Sequence, residues 1–134
     1  MSAGTFQDNF EIGGRPVGGG APCLFIAEAG VAHFGDMKMA IQLVELAASA
    51  GADVFKTQVF DVDQMIAAEM PEWRERLRPR NLSLVEFKEL KALCDERGLL
   101  FMATAHDESR IPWLEELQVP AIKVGSGERN NPVF

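Results

Sequence analysis

The chain has 134 residues, 47% of them hydrophobic and 25% charged, and carries a formal net charge of -7. That length suits one domain with its own core, and the acidic balance argues against nucleic acid or an anionic membrane as a partner. Two cysteines, Cys23 and Cys94, make no disulfide framework and fit a reducing cytoplasm. No cationic leader with a following apolar run opens the sequence, and no apolar stretch approaches the ~20 residues that span a bilayer.

Residues 1–9 are small and polar and read as a loose tail. Residues 10–17 predict a small hairpin turning at Gly13-Gly14. A glycine-rich link over 18–22 leads to a first main strand over 24–29, which carries Glu28 near its end. Asp36 is placed to cap a helix over 37–50, whose apolar stripe is Ala40, Leu43, Val44, Ala47 and Ala50. Gly51 stops that helix.

A second strand follows over 54–58. It is β-branched and aromatic, as buried parallel strands are, yet it holds Lys56 and Gln58 on one face. A lysine there must snorkel to water, find a partner or serve a polar site. Residues 61–82 are long for a loop in such a fold. They read as a solvated loop or short helical turn, or as a lid over a site. Ser83 to Glu86 form a capping box, so a helix starts there, and Gly98 ends it.

A third strand is expected over 99–104, ending at Thr104. A third helix capped by Ser109 puts Pro112 in its first turn, where the missing N–H costs nothing. A fourth strand over 121–124 contains Lys123, and the loop after it holds Ser126 between Gly125 and Gly127. The alternation is that of a parallel α/β sheet. In such sheets the C-terminal strand ends share a rim where sites form. Glu28, Lys56, Gln58, Thr104, Lys123 and Ser126 all belong to that rim. Two lysines with hydroxyl donors suit a phosphate or a carboxylate, and the glycines allow backbone N–H groups to approach an anion. His33 and His106 lie near the rim, but neither has metal-ligand spacing to a second group.

Three ordered segments also carry a resemblance. They are Ala27-Glu28-Ala29-Gly30 through His33-Phe34-Gly35-Asp36, then Ala50-Gly51-Ala52-Asp53 to Lys56-Thr57-Gln58, then Val119-Pro120 to Lys123-Val124-Gly125-Ser126-Gly127-Glu128. With Asn130-Asn131-Pro132 behind them, they resemble the sialic acid synthase (N-acetylneuraminate synthase) family, from about Phe10 to the last residue. The resemblance implies the N-terminal half of a (β/α)8 TIM barrel, with four parallel strands and three helices over 23–134 behind the hairpin and link of 10–22. It implies condensation of phosphoenolpyruvate with an N-acylated mannosamine-type sugar to a sialic acid-like nonulosonic acid, with release of phosphate. By position, Glu28 is the acid/base or sugar-orienting carboxylate. Lys56 and Thr104 hold the substrate carboxylate, Lys123 and Ser126 its phosphate, and Gln58 and Glu128 shape the site.

The family implies a divalent metal, manganese or magnesium, whose ligands are not expected in this chain. It also implies a cytoplasmic homo-oligomer whose C-terminal antifreeze-like domain completes a partner's site. Ala32 stands where the family has asparagine, and Ala105-His106 replaces its proline-phenylalanine. On this reading the chain is a truncated form. One alternative is a non-catalytic half-barrel that keeps an anion-binding site. Another is an aldolase-like barrel with Lys123 as a Schiff-base lysine.

Overall fold

The computed structural model describes residues 7–132. Residues 1–6 of the expected tail and the last two of the chain lie outside the described residues. Two strands, β1 (Asn9–Ile12) and β2 (Arg15–Gly18), pair antiparallel, with Phe10 opposite Val17. Their turn is Gly13-Gly14, both at positive φ, as a tight two-residue hairpin turn demands.

The main sheet has three parallel strands in chain order, β3 (Ile26–Gly30), β4 (Val54–Val59) and β5 (Leu100–Ala105). The expected fourth strand is a correction. Residues 121–124 contribute one isolated parallel bridge, Ala103 to Ile122, and no continuous ladder. The first strand also begins later than expected, at Ile26.

All three long-range helices stand on one face of the sheet. Helix α1 (Met37–Ser49) starts where Asp36 accepts hydrogen bonds from the N–H groups of Lys38 and Met39. Its buried residues are Ala40, Val44 and Ala47, while Ala50 lies past its end and is exposed. Helix α4 (Leu84–Glu96) opens on the full Ser83–Glu86 capping box and buries Phe87, Leu90 and Cys94. Helix α5 (Ile111–Glu116) buries Leu114 and has Pro112 in its first turn. Ser109 does not cap it. The Ser109 hydroxyl donates to Asp107, and a 3-10 turn (Glu108–Arg110) leads into the helix instead. These helices meet Phe55, Val59, Phe101, Ala103 and Ala105 in a single apolar core. Burial of this kind contributes ~25 cal/mol per Å² of apolar surface.

Residues 61–82 fold into α2 (Val62–Met65), α3 (Pro71–Leu77) and a 3-10 turn (Arg78–Arg80). The segment is tied to itself. Arg74 donates to the carbonyls of Asp63 and Ile66, and Arg78 grips both Asp63 carboxylate oxygens. Asn81 fastens its end to the Phe60 carbonyl at 2.8 Å.

The hairpin sits at the N-terminal end of the sheet. Arg15 bonds the Asp53 carboxylate at 2.6 Å and the Gly98 carbonyl at 2.7 Å. The other Asp53 oxygen accepts from the Phe25 N–H. One carboxylate therefore joins the hairpin to the start of β3 and β4. The hairpin also covers Leu100, whose side chain lies so close to Gly13 that a Cβ there would meet it at 2.6 Å. With the N-terminal end closed, the polar C-terminal ends are left for chemistry. Among the described residues no helix is long and apolar enough to cross a membrane.

Gly35 and Gly51 differ in a way that can be measured. Both have positive φ, but a Cβ at Gly35 would meet the Pro79 carbonyl oxygen at 1.8 Å, whereas at Gly51 it meets nothing. Gly51→Ala is expected to lower stability by about 1 kcal/mol, the cost of a left-handed alanine. Gly35→Ala adds a clash and should cost more, on the order of 3 kcal/mol. Urea-denaturation midpoints of the two variants check this; equal losses contradict it.

Candidate functional site

The strand register decides which side chains share a face. Glu28 is level with Lys56, and Lys56 with Met102; Gln58 is level with Thr104. Glu28, Lys56, Gln58, Met102 and Thr104 therefore lie on the face opposite the helices, because side chains alternate along a strand. Lys123 follows Ile122, whose one parallel bridge is to Ala103.

Lys56 is buried, at 6% exposure, and its ammonium is ion-paired with the Glu28 carboxylate, whose side chain is half exposed. The lysine has thus found a partner rather than snorkelled to water. Glu28 is fixed by a second contact. The Gly30 N–H donates to its other oxygen at 2.8 Å, across a bulge between Glu28 and Gly30. Such a bulge turns the strand and re-aims a side chain. Gly30 has φ 53° and gives its carbonyl to the Thr57 hydroxyl at 2.9 Å. A Cβ on Gly30 would sit 3.5 Å from the Gln58 amide nitrogen and 3.6 Å from the Glu28 carboxylate. Glu28, Lys56 and Gln58 hence form one cluster around Gly30.

A second cluster lies across β5. Thr104 is buried at 3% exposure, and among the described residues its hydroxyl has no hydrogen-bond partner. A Cβ on Gly125 would stand 3.7 Å from the Thr104 methyl and 3.7 Å from the His106 ring. Gly125 is buried and opens a 3-10 turn (Ser126–Asn130). Lys123 and Ser126 are exposed, and Glu128 is half-buried. The charges of Glu128, Lys56, Lys123 and Asp107 all act on His106. Burial is the largest influence and holds this imidazole below its ordinary value. The two clusters meet at Lys56, which pairs with Glu28 on one side and is felt by His106 on the other.

Beside the second cluster opens a cleft of about 640 Å³, lined in part by Gln64, His106, Asp107, Glu128 and Asn131. Of the residues expected at the site from sequence, only Glu128 lines it. The sequence reading missed the part played by Gln64 and Asp107. Asp107 is buried, and its carboxylate accepts from the Asp61 N–H at 2.6 Å, which sets the β5 exit against the β4 exit. Its place just past a strand end was the one available signal.

His33 has a different position. It is buried, at 1% exposure, and its Nδ1 accepts from the Gly35 N–H at 3.1 Å. Its loop packs on the segment before α4, with the Arg80 guanidinium 4.5 Å from the Phe34 ring centre. Burial holds the His33 imidazole below its usual value, against a smaller upward pull from Glu86. Among the described residues no group of three or more His, Cys, Asp or Glu could hold a metal ion. The divalent ion implied by the resemblance therefore finds no ligand set among them.

A model of the NeuB family matches residues 43–134. Human N-acetylneuraminate-9-phosphate synthase is 36% identical over 130 residues, covering 88% of this chain and 36% of that protein. The N,N'-diacetyllegionaminic acid synthase of Legionella pneumophila is 36% identical over 137 residues, covering 92% and 38%. A crystal structure of the sialic acid synthetase of Leptospira borgpetersenii, in complex with citrate, superposes with a TM-score of 0.85 at 30% identity. It covers 90% of this chain and 42% of that one. The chain spans a little over a third of the length of these curated relatives.

The depressed histidines set a pH dependence. An imidazole whose folded pKa lies below the unfolded value of about 6.5 is protonated first in the unfolded chain. Folding stability should therefore be fully present above pH 6.5 and fall as pH drops through that value toward the folded one. His33→Asn keeps an acceptor for Gly35 and should flatten this fall, leaving the share due to His106. Urea midpoints between pH 8 and pH 5 test this, and an unchanged slope in His33→Asn contradicts it.

Proposed function

The chain belongs to the NeuB family, and on that premise we propose that it serves the condensation of phosphoenolpyruvate with an N-acylated mannosamine-type sugar. The products are a sialic acid-like nonulosonic acid and inorganic phosphate. We read the three-stranded sheet as a section of a (β/α)8 barrel, working in the cytoplasm as a homo-oligomer. The observation that supports the reading best is the register, which sets Glu28, Lys56, Gln58 and Thr104 on one face at one end of the sheet, with the charge of Lys123 acting on His106 beside them.

In this proposal Lys56 and the unpartnered Thr104 hydroxyl take the phosphoenolpyruvate carboxylate. Lys123 and Ser126 take the phosphate, where exposure lets an anion arrive and leave. Glu28 orients the sugar or moves a proton at its hydroxyl, and the Gly30 N–H and Lys56 hold that carboxylate in place. Gln58 and Glu128 shape the space between them. In the reaction C3 of the enol forms a bond to the aldehyde carbon of the sugar. Water then adds at C2, the C2–O bond to phosphorus breaks, and phosphate departs. The lysines balance charge that is fixed before the reaction begins, so little reorganisation is needed.

Binding separates this site from the other basic region of the chain. Lys123→Ala should weaken phosphoenolpyruvate binding about tenfold or more, since a hydrogen bond to a charged group contributes ~1.5–3 kcal/mol. Arg78→Ala, which removes an exposed partner of Asp63 on the far segment, should leave it nearly unchanged. Calorimetric titration reads both constants. Equal losses, or a greater loss at Arg78, would contradict the assignment.

A further inference from the structure

Among the described residues the rim carries more carboxylates than cations. Among the described residues two cations act on His106, Lys56 and Lys123, and Lys56 is already paired with Glu28. Three carboxylates stand against them, those of Glu28, Glu128 and Asp107. The neighbouring cleft adds Glu108. A substrate bearing both a carboxylate and a phosphate brings further negative charge into this setting. Such a site gains affinity from one more cation that forms when the anion arrives.

His106 is the group placed to supply it. It follows β5 directly, and its backbone N–H donates to the Val59 carbonyl at 3.1 Å, which fixes the start of the loop. Its ring lies beside Gly125, at the entrance to the Ser126 turn, and next to Thr104. It also lines the open cleft, so a proton can reach it from water. Among the described residues no hydrogen bond engages either ring nitrogen. The facing charges come from every neighbouring element: Lys56 on β4, Lys123 after α5, Glu128 in the 3-10 turn and Asp107 beside it.

We propose that His106 is a proton-coupled ligand of the substrate anion, neutral in the free protein and an imidazolium when the phosphate- and carboxylate-bearing substrate is bound. The inference rests on the anion site proposed above. One proton passes from solvent to the imidazole as the anion binds. It returns to solvent when inorganic phosphate leaves. No oxidant, reductant or further co-reactant is involved. Burial favours the neutral form in the free protein, and a nearby anion reverses that preference.

The test follows the imidazole directly in the 134-residue chain. The Cε1–H resonances of the two histidines are titrated by NMR, with and without saturating phosphoenolpyruvate, and assigned with His33→Asn and His106→Gln. His106 should titrate about one unit higher in the bound protein, while His33 stays where it was. Calorimetry in buffers of different ionisation enthalpy should show net proton uptake that is reduced in His106→Gln and retained in His33→Asn. Phosphoenolpyruvate binding with an unmoved His106 titration, or uptake retained in His106→Gln, overturns this inference and leaves the anion site standing. Absence of any phosphoenolpyruvate binding overturns both.

Discussion

A buried lysine in the central strand is the constraint around which the rest is arranged. Burying the Lys56 side chain at 6% exposure is costly without a partner for its ammonium. The partner is Glu28 on the next strand, and it can only be reached if β3 and β4 hold their register. A shift of one residue would turn Lys56 into the apolar core and Phe55 out of it. The ion pair and the core therefore specify the same alignment. Removing one partner of such a pair leaves an uncompensated charge, which costs more than the pair itself contributes. The half-exposed Glu28 softens that cost and keeps the carboxylate within reach of a ligand.

Local backbone features then place the remaining groups. The bulge at Gly30 lets one carboxylate accept from a main-chain N–H and a lysine together. Gly125 brings the Ser126 turn against Thr104 and His106, within 3.7 Å of both for a Cβ placed there. At the opposite end, Asp53 binds the hairpin through Arg15 and the entry of β3 through the Phe25 N–H. One end of the sheet is thus tied shut and the other presents polar groups. The second end is also where the NeuB family match, residues 43–134, carries most of the proposed site.

Much of this was legible in the sequence because the signals were local. Asp36, the Ser83–Glu86 box, Gly51 and Gly98 mark helix ends by their own chemistry, and each stands where expected. The hairpin was legible from Gly13-Gly14. The fourth strand was not, since a β-branched run around Ile122 and Val124 signals strand propensity but cannot say whether a neighbour continues the ladder. The start of α5 misled for a related reason. Ser109 is a good cap in isolation, yet it lies inside the 3-10 turn and its hydroxyl oxygen accepts from the Arg110 guanidinium. The pairing of Lys56 with Glu28 depends on register between strands, which spacing along one strand does not encode. The same holds for the place of His106 beside Gly125.

The central claim is that one face of the β3–β4–β5 sheet binds phosphoenolpyruvate at its C-terminal end. The most direct measurement is a crystal structure of the chain soaked with phosphoenolpyruvate. The account predicts the substrate carboxylate against Lys56 and Thr104 and the phosphate against Lys123 and Ser126. Density for the ligand on the Arg74 to Arg80 segment, or at the hairpin end beside Arg15, would contradict it.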